Sequence, residues 1–443
     1  MTLEDDLSLV ADVLPAEAKT FLDHLEEDWI RQAFEATGVA TLRRRRLPAE
    51  QVVWLVLGMS LMRGRSITEV VDKLDLTLPD TGNAIASSAI SKARQRVGSR
   101  PIEWLFRHAA NHWALPSADR QRWRGLRLLG VDGSKFFTPD TPSNNEAFAK
   151  HPGAHGASGY PLARMVAVMA LRSHVLLDAE LGSFADSELA IAAPLWQRLP
   201  EDSLTIVDRA YFNAPTLQPF SQLGGNRHWL TRARKNTKWT VKQELGEGDQ
   251  LVEFKTAEAT LKKHPELSPT WLARVVHWRD GKNGEPKYVV TSLLDHERYP
   301  AHEVRSLYVE RWEHEGGYDE LKTEQLDSYP VLRSQTADGI RQEIWAALLA
   351  YNLLRVEMEA IAVKARVSPL RVSFLQALRL IVDEWMWLAG TRSPGAIPKH
   401  LQKLRDNLSR LILPERRKRS YDRALKKTAR RYRSKTGGKL QRP

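Results

Sequence analysis

The chain has 443 residues, 42% of them hydrophobic and 27% charged, and its formal net charge is +12. Such a chain is long enough for several domains with buried cores, and its composition excludes a disordered polymer. Its apolar runs are shorter than the roughly 18 to 20 residues that span a bilayer. It contains no cysteine, so any metal must be bound by oxygen or imidazole ligands. We expect a cytoplasmic protein with no membrane partner.

Residues 1–120 are predicted to form a helical N-terminal domain, because apolar residues recur at steps of three and four, as in residues 53–61. Its basic residues make it the candidate DNA-binding domain. Within it, residues 87–96 are typical of a capped helix with three cations, Lys92, Arg94 and Arg96. Such a helix can lie in a DNA groove. An exposed charged face explains the same residues more simply, and the sequence leaves both interpretations open.

The pattern changes near residue 121 from helical to strand-like, so residues 121–234 are predicted to be an α/β unit. Strands are predicted at 126–131, 164–171, 175–181, 204–207 and 228–231, with a helix at 187–199. The glycine-rich stretch 153–159 does not join a strand to a helix in the order that binds phosphate. We interpret it as a plain loop.

The second half of the chain begins with a predicted β-rich insertion at 235–286, followed by a return to the α/β unit at 287–335. A long helix is predicted from residue 302 to about 323, and helices at 337–363 and 370–388 indicate a helical C-terminal region at 336–413. The last segment, 414–443, is a tail with thirteen Lys or Arg and two acidic residues. We expect this tail to bind a polyanion; a solvated tail without a partner is the alternative.

Two aspartates follow predicted strands: Asp132 comes after 126–131, and Asp208 comes after 204–207. In an open α/β sheet the strand ends border the crevice where ligands bind, and carboxylate oxygens brought together there are the ligands that Mg²⁺ requires. Each aspartate alone has a plainer explanation. Asp132-Gly133 suits a turn, and Asp208 suits the cap of a following helix.

The predicted long helix carries four chemically distinct side chains on one face. Counted from Tyr308 at about 100° per residue, the positions 3, 7 and 14 residues later fall within an arc of roughly 60°. They are Arg311, Glu315 and Lys322. A carboxylate there can bind a metal while the other three grip phosphates, and a surface stripe with an ion pair is the alternative. The alternative does not explain Gly316-Gly317, which indicates close approach of another backbone or of DNA.

The spacing Tyr-x2-Arg-x3-Glu-x6-Lys resembles the YREK signature of the insertion-sequence 4 family of DDE transposases, and all four positions match. Residues 131–134 (Val-Asp-Gly-Ser) and 207–211 (Val-Asp-Arg-Ala-Tyr) resemble the two aspartate motifs of that family. Residues 331–334 and 340–345, together with parts of the predicted N-terminal domain, are also similar to it. The resemblance therefore spans most of the chain.

This resemblance implies an α/β ribonuclease H-like catalytic core similar to that of the transposon-five-like enzymes: a mixed sheet flanked by helices, with a β-rich insertion and helical N- and C-terminal domains. It implies that Asp132, Asp208 and Glu315 are the catalytic residues and the ligands of two Mg²⁺ ions, for which Mn²⁺ can substitute. The implied reaction is DNA cleavage at the ends of a transposable element through a hairpin intermediate, followed by strand transfer into target DNA.

The resemblance also implies a set of DNA contacts. Tyr308, Arg311 and Lys322 would position phosphates near the scissile bond. Relatives stack a flipped base on a tryptophan of the β-rich insertion, and Tyr288 stands at the matching place here. The stacking role therefore falls to Tyr288, alone or shared with two tryptophans, Trp278 and Trp312. Core packing is the alternative for these three aromatic residues.

Double-stranded DNA, at the element ends and at the target, is the implied partner, bound by a homodimer at the bacterial nucleoid. The rival hypotheses are a ribonuclease H-like nuclease without strand transfer and a catalytically inactive, transposase-derived DNA-binding regulator. The presence of all three carboxylates disfavours the regulator. A zinc enzyme is disfavoured because His314 has no second histidine one turn further on and the chain has no cysteine.

Overall fold

The computed structural model describes residues 24–39, 47–76, 85–153, 156–234, 236–279, 285–328, 331–390 and 411–413. The basic tail, about which the sequence makes a definite prediction, lies outside these described residues. So does the predicted turn at 280–284.

Helices make up the N-terminal part of the described chain, as predicted. They are α1 (Glu27–Thr37), α2 (Ala49–Leu61), α3 (Ile67–Lys73), α4 (Ser87–Val97) and α5 (Arg100–Arg120). Helix α2 is apolar all round, and its residues 51–61 are all buried, so it is a central helix of this region. The predicted cap of α4 is wrong, because its N-cap residue is Ala86, which offers no side-chain acceptor.

The described residues form one mixed, ten-stranded sheet. The first six strands are β1 (Arg127–Phe137), β2 (Lys150–Gly153), β3 (Gly156–Ala170), β4 (Leu176–Ser183), β5 (Ser203–Val207) and β6 (Arg227–Arg232). The central order is β4-β3-β1-β5-β6, in which β3 is antiparallel to β4 and β1, whereas β1, β5 and β6 are parallel. The prediction of a plain loop at 153–159 is wrong, because Gly153 of β2 pairs with Gly156 of β3.

The predicted β-rich insertion extends the same sheet. Its strands are β7 (Thr240–Gly246), β8 (Asp249–Lys255) and β9 (Thr270–Arg279). They join the core through β10 (Pro286–Thr291), which begins where the predicted insertion ends and pairs antiparallel with β9 and β6. A fully buried ion pair ties two of these strands together, since Arg274 donates to Asp249 Oδ1 and Oδ2 at 2.7 and 2.6 Å. The insertion is therefore continuous with the core of the molecule.

Helices cover both faces of the sheet. The short helices α6 (Pro142–Ala147), α7 (Glu188–Arg198), α8 (Ala214–Ser221) and α9 (Glu258–Lys263) are inserted between strands. Side chains of α7 and α8 pack with Leu129 and Val131 on one face of β1. The neighbouring Leu128 points to the other face, as strand alternation requires. It packs there with residues 304 and 307, which belong to the helix that begins at residue 301.

The C-terminal part of the described chain is helical, as predicted, with α12 (Ala337–Ala365) and α13 (Phe374–Gly390). A buried polar junction joins α4 to α12. Arg94 donates to Gln342 Oε1 at 3.0 Å and to Ser334 Oγ at 2.9 Å, and it pairs with Glu343 at 3.7 Å. Arg94 is therefore a structural residue and not a groove contact, whereas Lys92 and Arg96 on the same helix are exposed.

Candidate active site

The two aspartates follow neighbouring strands in register. Val131 pairs with Val207 in the parallel β1–β5 ladder, so Asp132 and Asp208 come next on strands that lie about 4.8 Å apart. Asp208 stands at a strand end, as predicted, and its side chain caps no helix. Asp132 does not, because β1 continues to Phe137 along β3. It lies instead where β5 stops and leaves one edge of β1 uncovered.

Asp132 has an environment that disfavours its charged form. Burial raises the pKa of its carboxyl to about 6. The Gly133 N–H, which donates to Asp132 Oδ1 at 2.8 Å, and the Arg311 guanidinium act against this rise, while the carboxylates of Glu188 and Asp208 add to it. A half-buried carboxylate among other carboxylates is a site that a cation would stabilise.

The predicted long helix is a composite helix, residues 301–325. It consists of α10 (Ala301–Leu307), a 3₁₀ turn (Tyr308–Arg311), α11 (Trp312–Asp319) and a π-helical segment (Glu320–Gln325). The prediction of one regular helix is therefore wrong. Helix α11 is docked on the sheet, where the Tyr318 hydroxyl donates to Asp132 O at 2.7 Å. The π-helical segment is attached to a different element, because Glu320 pairs with Arg355 of α12. The backbone departs from α-helical geometry between these two points of attachment.

Despite this irregularity, the signature side chains reach the aspartates. Burial raises the pKa of Tyr308, on which Arg311 and Asp208 also act as neighbouring charges. Lys322 Nζ donates to Ser134 Oγ at 3.3 Å, on the same face of β1 as Asp132. Burial also lowers the pKa of Lys322. The structure therefore brings two cations and a phenol to the predicted site.

Glu315 is half-exposed and is paired with a cation of its own helix. Arg311 donates to Glu315 Oε1 at 3.0 Å, and its guanidinium lies over the Trp312 ring, 4.7 Å from the centroid. Among the described residues, no group of three carboxylate or imidazole side chains is arranged to hold a metal ion as it stands. The oxygen donors fit a hard divalent cation chemically, but Glu315 must leave Arg311 before it can share one with Asp132 and Asp208.

The two glycines of the composite helix have an intramolecular explanation. A Cβ at Gly317 would lie 2.9 Å from Met169 Sδ and 3.2 Å from the Tyr351 hydroxyl, whereas one at Gly316 would meet His174 Cε1 at 3.4 Å. At Gly317 the prediction that another backbone or DNA makes the close approach is wrong. Side chains of β3 and α12 fill that space.

The three aromatic candidates differ in their surroundings. Tyr288 packs edge-on against Trp239, with ring centroids 5.5 Å apart, on the face of the sheet opposite the aspartates. Trp278 packs on the aspartate face and is covered by Arg305, whose guanidinium lies 4.8 Å from its ring centroid. Trp312 is 59% exposed. The structure therefore supports core packing for Tyr288 and Trp278, and leaves Trp312 accessible.

One acidic residue of this region was not predicted from the sequence. Glu188 is the first residue of α7, and the Tyr211 hydroxyl donates to its Oε1 at 2.9 Å. Its carboxylate lies over Gly133, so close that a Cβ there would overlap it. The sequence offered one signal for Glu188, which is Gly133 beside Asp132, because a glycine inside a strand often marks the close approach of another group.

Comparisons with known proteins define the class. Residues 15–107 match the family model for the insertion element 4 transposase N-terminal region, and residues 123–353 match the transposase DDE domain. Together with the ribonuclease H-like strand order, these matches define a DDE transposase, an enzyme that acts on DNA and uses divalent metal ions. No helix in the described part of the chain is long and apolar enough to cross a membrane.

Similarity over nearly the whole chain defines the family. The chain is 35% identical over 411 residues to the transposase InsG for insertion sequence element IS4 of Escherichia coli (strain K12), covering 93% of this chain and 92% of that protein. It is also 37% identical over 225 residues to the putative transposase InsZ of the same strain, covering 50% of this chain and 74% of InsZ. The chain belongs to the insertion element 4 family of DDE transposases.

Among solved structures, a cryo-EM structure of the piggyBac transposase synaptic complex with hairpin DNA matches 91% of this chain and 86% of its own, with a TM-score of 0.42 and 11% identity.

Proposed function

We propose that this transposase catalyses Mg²⁺-dependent cleavage of DNA at the ends of its element, through a hairpin intermediate, and joins the freed 3′ ends to target DNA. The observation that best supports the proposal is the register of β1 and β5, which sets Asp132 beside Asp208 under the composite helix that carries Glu315.

Asp132, Asp208 and Glu315 are the proposed metal ligands. Two bound Mg²⁺ ions, or Mn²⁺ in their place, would supply the Lewis acidity that activates an attacking hydroxyl and stabilises a leaving oxygen. This chain supplies only oxygen donors at that place, in a half-buried setting where Asp132 gains from a nearby positive charge. The same three residues would serve every step of the reaction.

The Arg311–Glu315 ion pair is proposed to exchange partners when substrate binds. Without DNA, the 3.0 Å contact neutralises both groups. With DNA, Glu315 turns to the aspartates, and Arg311 donates to a phosphate, which accepts a forked pair of hydrogen bonds as a carboxylate does. Lys322 and Tyr308 would hold neighbouring phosphates, because Lys322 reaches Ser134 beside Asp132 and Tyr308 lies near Asp208.

Trp312 is the proposed stacking platform for an unpaired base near the cut. Trp312 is 59% exposed, and its ring is held from one side by the Arg311 guanidinium, so the other side can accept a base. Tyr288 is proposed to support the aromatic packing of the insertion instead. Replacing Trp312 with Ala should therefore reduce hairpin formation, and replacing Tyr288 with Ala should reduce stability.

A homodimer that synapses two element ends at the nucleoid is the proposed functional assembly. The experiment is a time course with the full chain, Mg²⁺, labelled element-end DNA and a target plasmid, resolved on a denaturing gel. We expect nicked DNA, then the hairpin that forms as the second strand is broken, then the reopened element end, then strand-transfer product. Cleavage without joining would indicate a nuclease, and binding without cleavage would indicate an inactive regulator; either result contradicts the proposal.

A further inference from the structure

We propose that His174 is a positioning residue for catalysis, because it holds the side of the composite helix that faces away from the aspartates and thereby fixes where Glu315 lies. The inference rests on the proposed role of Glu315 as a metal ligand. It adds a residue from the turn between β3 and β4, which in the described part of the chain makes no hydrogen bond to Glu315 or to either aspartate.

His174 is a fixed point beside the composite helix. Its backbone N–H donates to Ala170 O at 2.8 Å, and the Ala170 N–H donates to Val175 O at 2.9 Å, which closes a tight turn. The φ angle of His174 is 62°, in the left-handed region that most residues other than glycine avoid. The residue is only 4% exposed. Its imidazole ring is therefore held by both the turn and the surrounding core.

The ring connects the composite helix to α12. Arg355 Nη2 donates to His174 Nδ1 at 2.7 Å and also to Glu320, two acceptors that lie 3.1 Å apart. Because a guanidinium only donates, Nδ1 is the acceptor and the proton of the ring is on Nε2. His174 Nε2–H therefore donates to Glu313 Oε2 at 3.2 Å. The Tyr351 hydroxyl of α12 donates to Glu320 Oε2 at 2.8 Å and completes the network.

These contacts lie on the flank of the helix opposite Glu315. At about 100° per residue, Glu313 and Glu320 are within roughly 20° of each other and about 140° to 160° around the helix from Glu315. His314 and Tyr318, which donate to or contact backbone carbonyls of the sheet, lie between the two flanks. The sheet thus supports the helix from below, and the network around His174 sets its rotation.

Glu315 depends on this support because its own ion pair is proposed to be temporary. Arg311 donates to it at 3.0 Å and is proposed to leave it when DNA binds. The position of the carboxylate then follows the rotation of the helix. A helix with its side chains has a radius of about 5 to 6 Å, so a rotation of about 20° would move the carboxylate by about 2 Å. A displacement of about 1 Å can slow a reaction by about 100-fold.

Two variants separate positioning from a merely structural role, because their effects on stability and on the network have opposite order. His174→Asn suits the left-handed backbone but is too short to reach Glu313. His174→Gln suits that backbone less well, but its amide can accept from Arg355 and donate to Glu313. We therefore expect a higher Tm for His174→Asn and faster cleavage for His174→Gln.

The assay is single-turnover cleavage of element-end DNA by the full chain at saturating Mg²⁺, well below the Tm of both variants. The maximal rate should fall about 10- to 100-fold in His174→Asn and about threefold in His174→Gln, while the DNA concentration for half-maximal rate stays within about threefold of wild type. His228→Asn, at a histidine on β6 that contacts Asn226, is the control and should cleave normally. If the cleavage rates follow the Tm values, or if DNA binding weakens instead of the maximal rate, the proposal is overturned.

A double variant tests the link to Glu313. Glu313→Ala should slow cleavage by itself, and adding it to His174→Asn should slow cleavage little further, because both changes break the same hydrogen bond. Additive losses contradict the proposal.

Glu315→Ala in the same assay distinguishes failure of this inference from failure of the proposed function. If Glu315→Ala is inactive while His174→Asn cleaves at the wild-type rate, the positioning role is overturned and the proposed function stands. If Glu315→Ala cleaves normally, the proposed metal role of Glu315 fails instead.

Discussion

At the scale of single residues, the candidate active site contains a carboxylate that destabilises the metal-free protein. Asp132 is kept half-buried beside two other acidic groups, and its carboxyl pKa is raised to about 6 because burial disfavours the anion. The metal-free protein therefore carries at neutral pH a charge that its fold does not favour. Active-site groups of this kind are stabilised when their ligand binds.

Asp132→Asn should stabilise the metal-free protein, since it removes that charge and keeps the shape. We expect a gain of roughly 1 to 2 kcal/mol at pH 7.5, or a few degrees in Tm, measured by differential scanning fluorimetry in chelator. Because the folded pKa lies above the unfolded one, the gain should be full above about pH 6 and shrink as the pH falls towards 4. Glu201→Gln should leave Tm unchanged. A lower Tm for Asp132→Asn would refute this account of the residue.

The cations of the composite helix should affect hairpin formation more than nicking. Neither Arg311 nor Lys322 can ligate a metal, so replacing either with Ala should remove the proposed phosphate contacts and leave the carboxylates in place. Nicked DNA should accumulate in a time course on labelled element ends, because a hairpin demands a sharper DNA path. Arg311→Lys, which keeps the charge but not the fork, should lie between Arg311→Ala and wild type. Equal losses of nicking and hairpin would show that these residues support the fold or initial binding.

At the scale of elements, the composite helix explains why a count of about 100° per residue placed the signature side chains on one face although the helix is irregular. The 3₁₀ turn rotates faster per residue than an α-helix and the π-helical segment rotates more slowly, so the two deviations partly cancel. Tyr308, Arg311 and Lys322 consequently lie near the two aspartates. The π-helical segment itself was not predictable, because Glu320 is drawn to Arg355, a residue of α12 that is distant in sequence.

The adjacent glycines of this helix give a matched pair of variants. Gly317→Ala should destabilise the protein by about 1 to 3 kcal/mol, since its Cβ would press on Met169 and Tyr351. In Gly316→Ala the new Cβ would lie 3.4 Å from His174 Cε1, which is close to an ordinary van der Waals distance. This variant should have unchanged stability or gain up to about 1 kcal/mol, because alanine favours the helix. Urea denaturation of both variants measures the difference. Similar stability in the two would mean that the packing around Gly317 is not as described.

The aspartate motifs were predictable because an apolar strand followed by Asp is a local pattern. Glu188 was not, since its proximity to Asp132 depends on how α7 packs over Gly133, a contact between residues 55 positions apart. The roles of Arg94 and Tyr288 were open for the same reason. A charge or a ring looks alike in sequence whether it faces solvent or, as with Arg94, a buried partner on α12.

At the scale of the whole molecule, the sequence predicted the fold class through motif order and resemblance. It did not predict that β7 to β9 would continue the core sheet, because strand register between distant segments is set by packing and not by local pattern. The uneven distribution of charge along the chain is evident from the sequence itself. Most of the +12 charge lies in residues 415–443.

Deleting residues 415–443 should weaken binding to all DNA sequences alike. Fewer cations then displace counterions, so the slope of log K against log salt should become shallower by roughly 0.9 for each phosphate that the tail no longer neutralises. Fluorescence anisotropy with element-end and random duplexes over a range of salt concentrations gives both slopes. An unchanged slope would show that the tail does not touch DNA, and a weakening confined to element ends would indicate specific recognition.

The measurement that tests the central claim most directly is Mg²⁺-dependent cleavage of element-end DNA by three single variants, Asp132→Ala, Asp208→Ala and Glu315→Ala, with binding measured on the same DNA. Each variant should lose cleavage altogether yet bind with a Kd within about threefold of wild type, a difference below about 1 kcal/mol, since a proposed metal ligand is removed while the basic residues stay. Cleavage at the wild-type rate by any one of them would remove that residue from the active site and contradict the account.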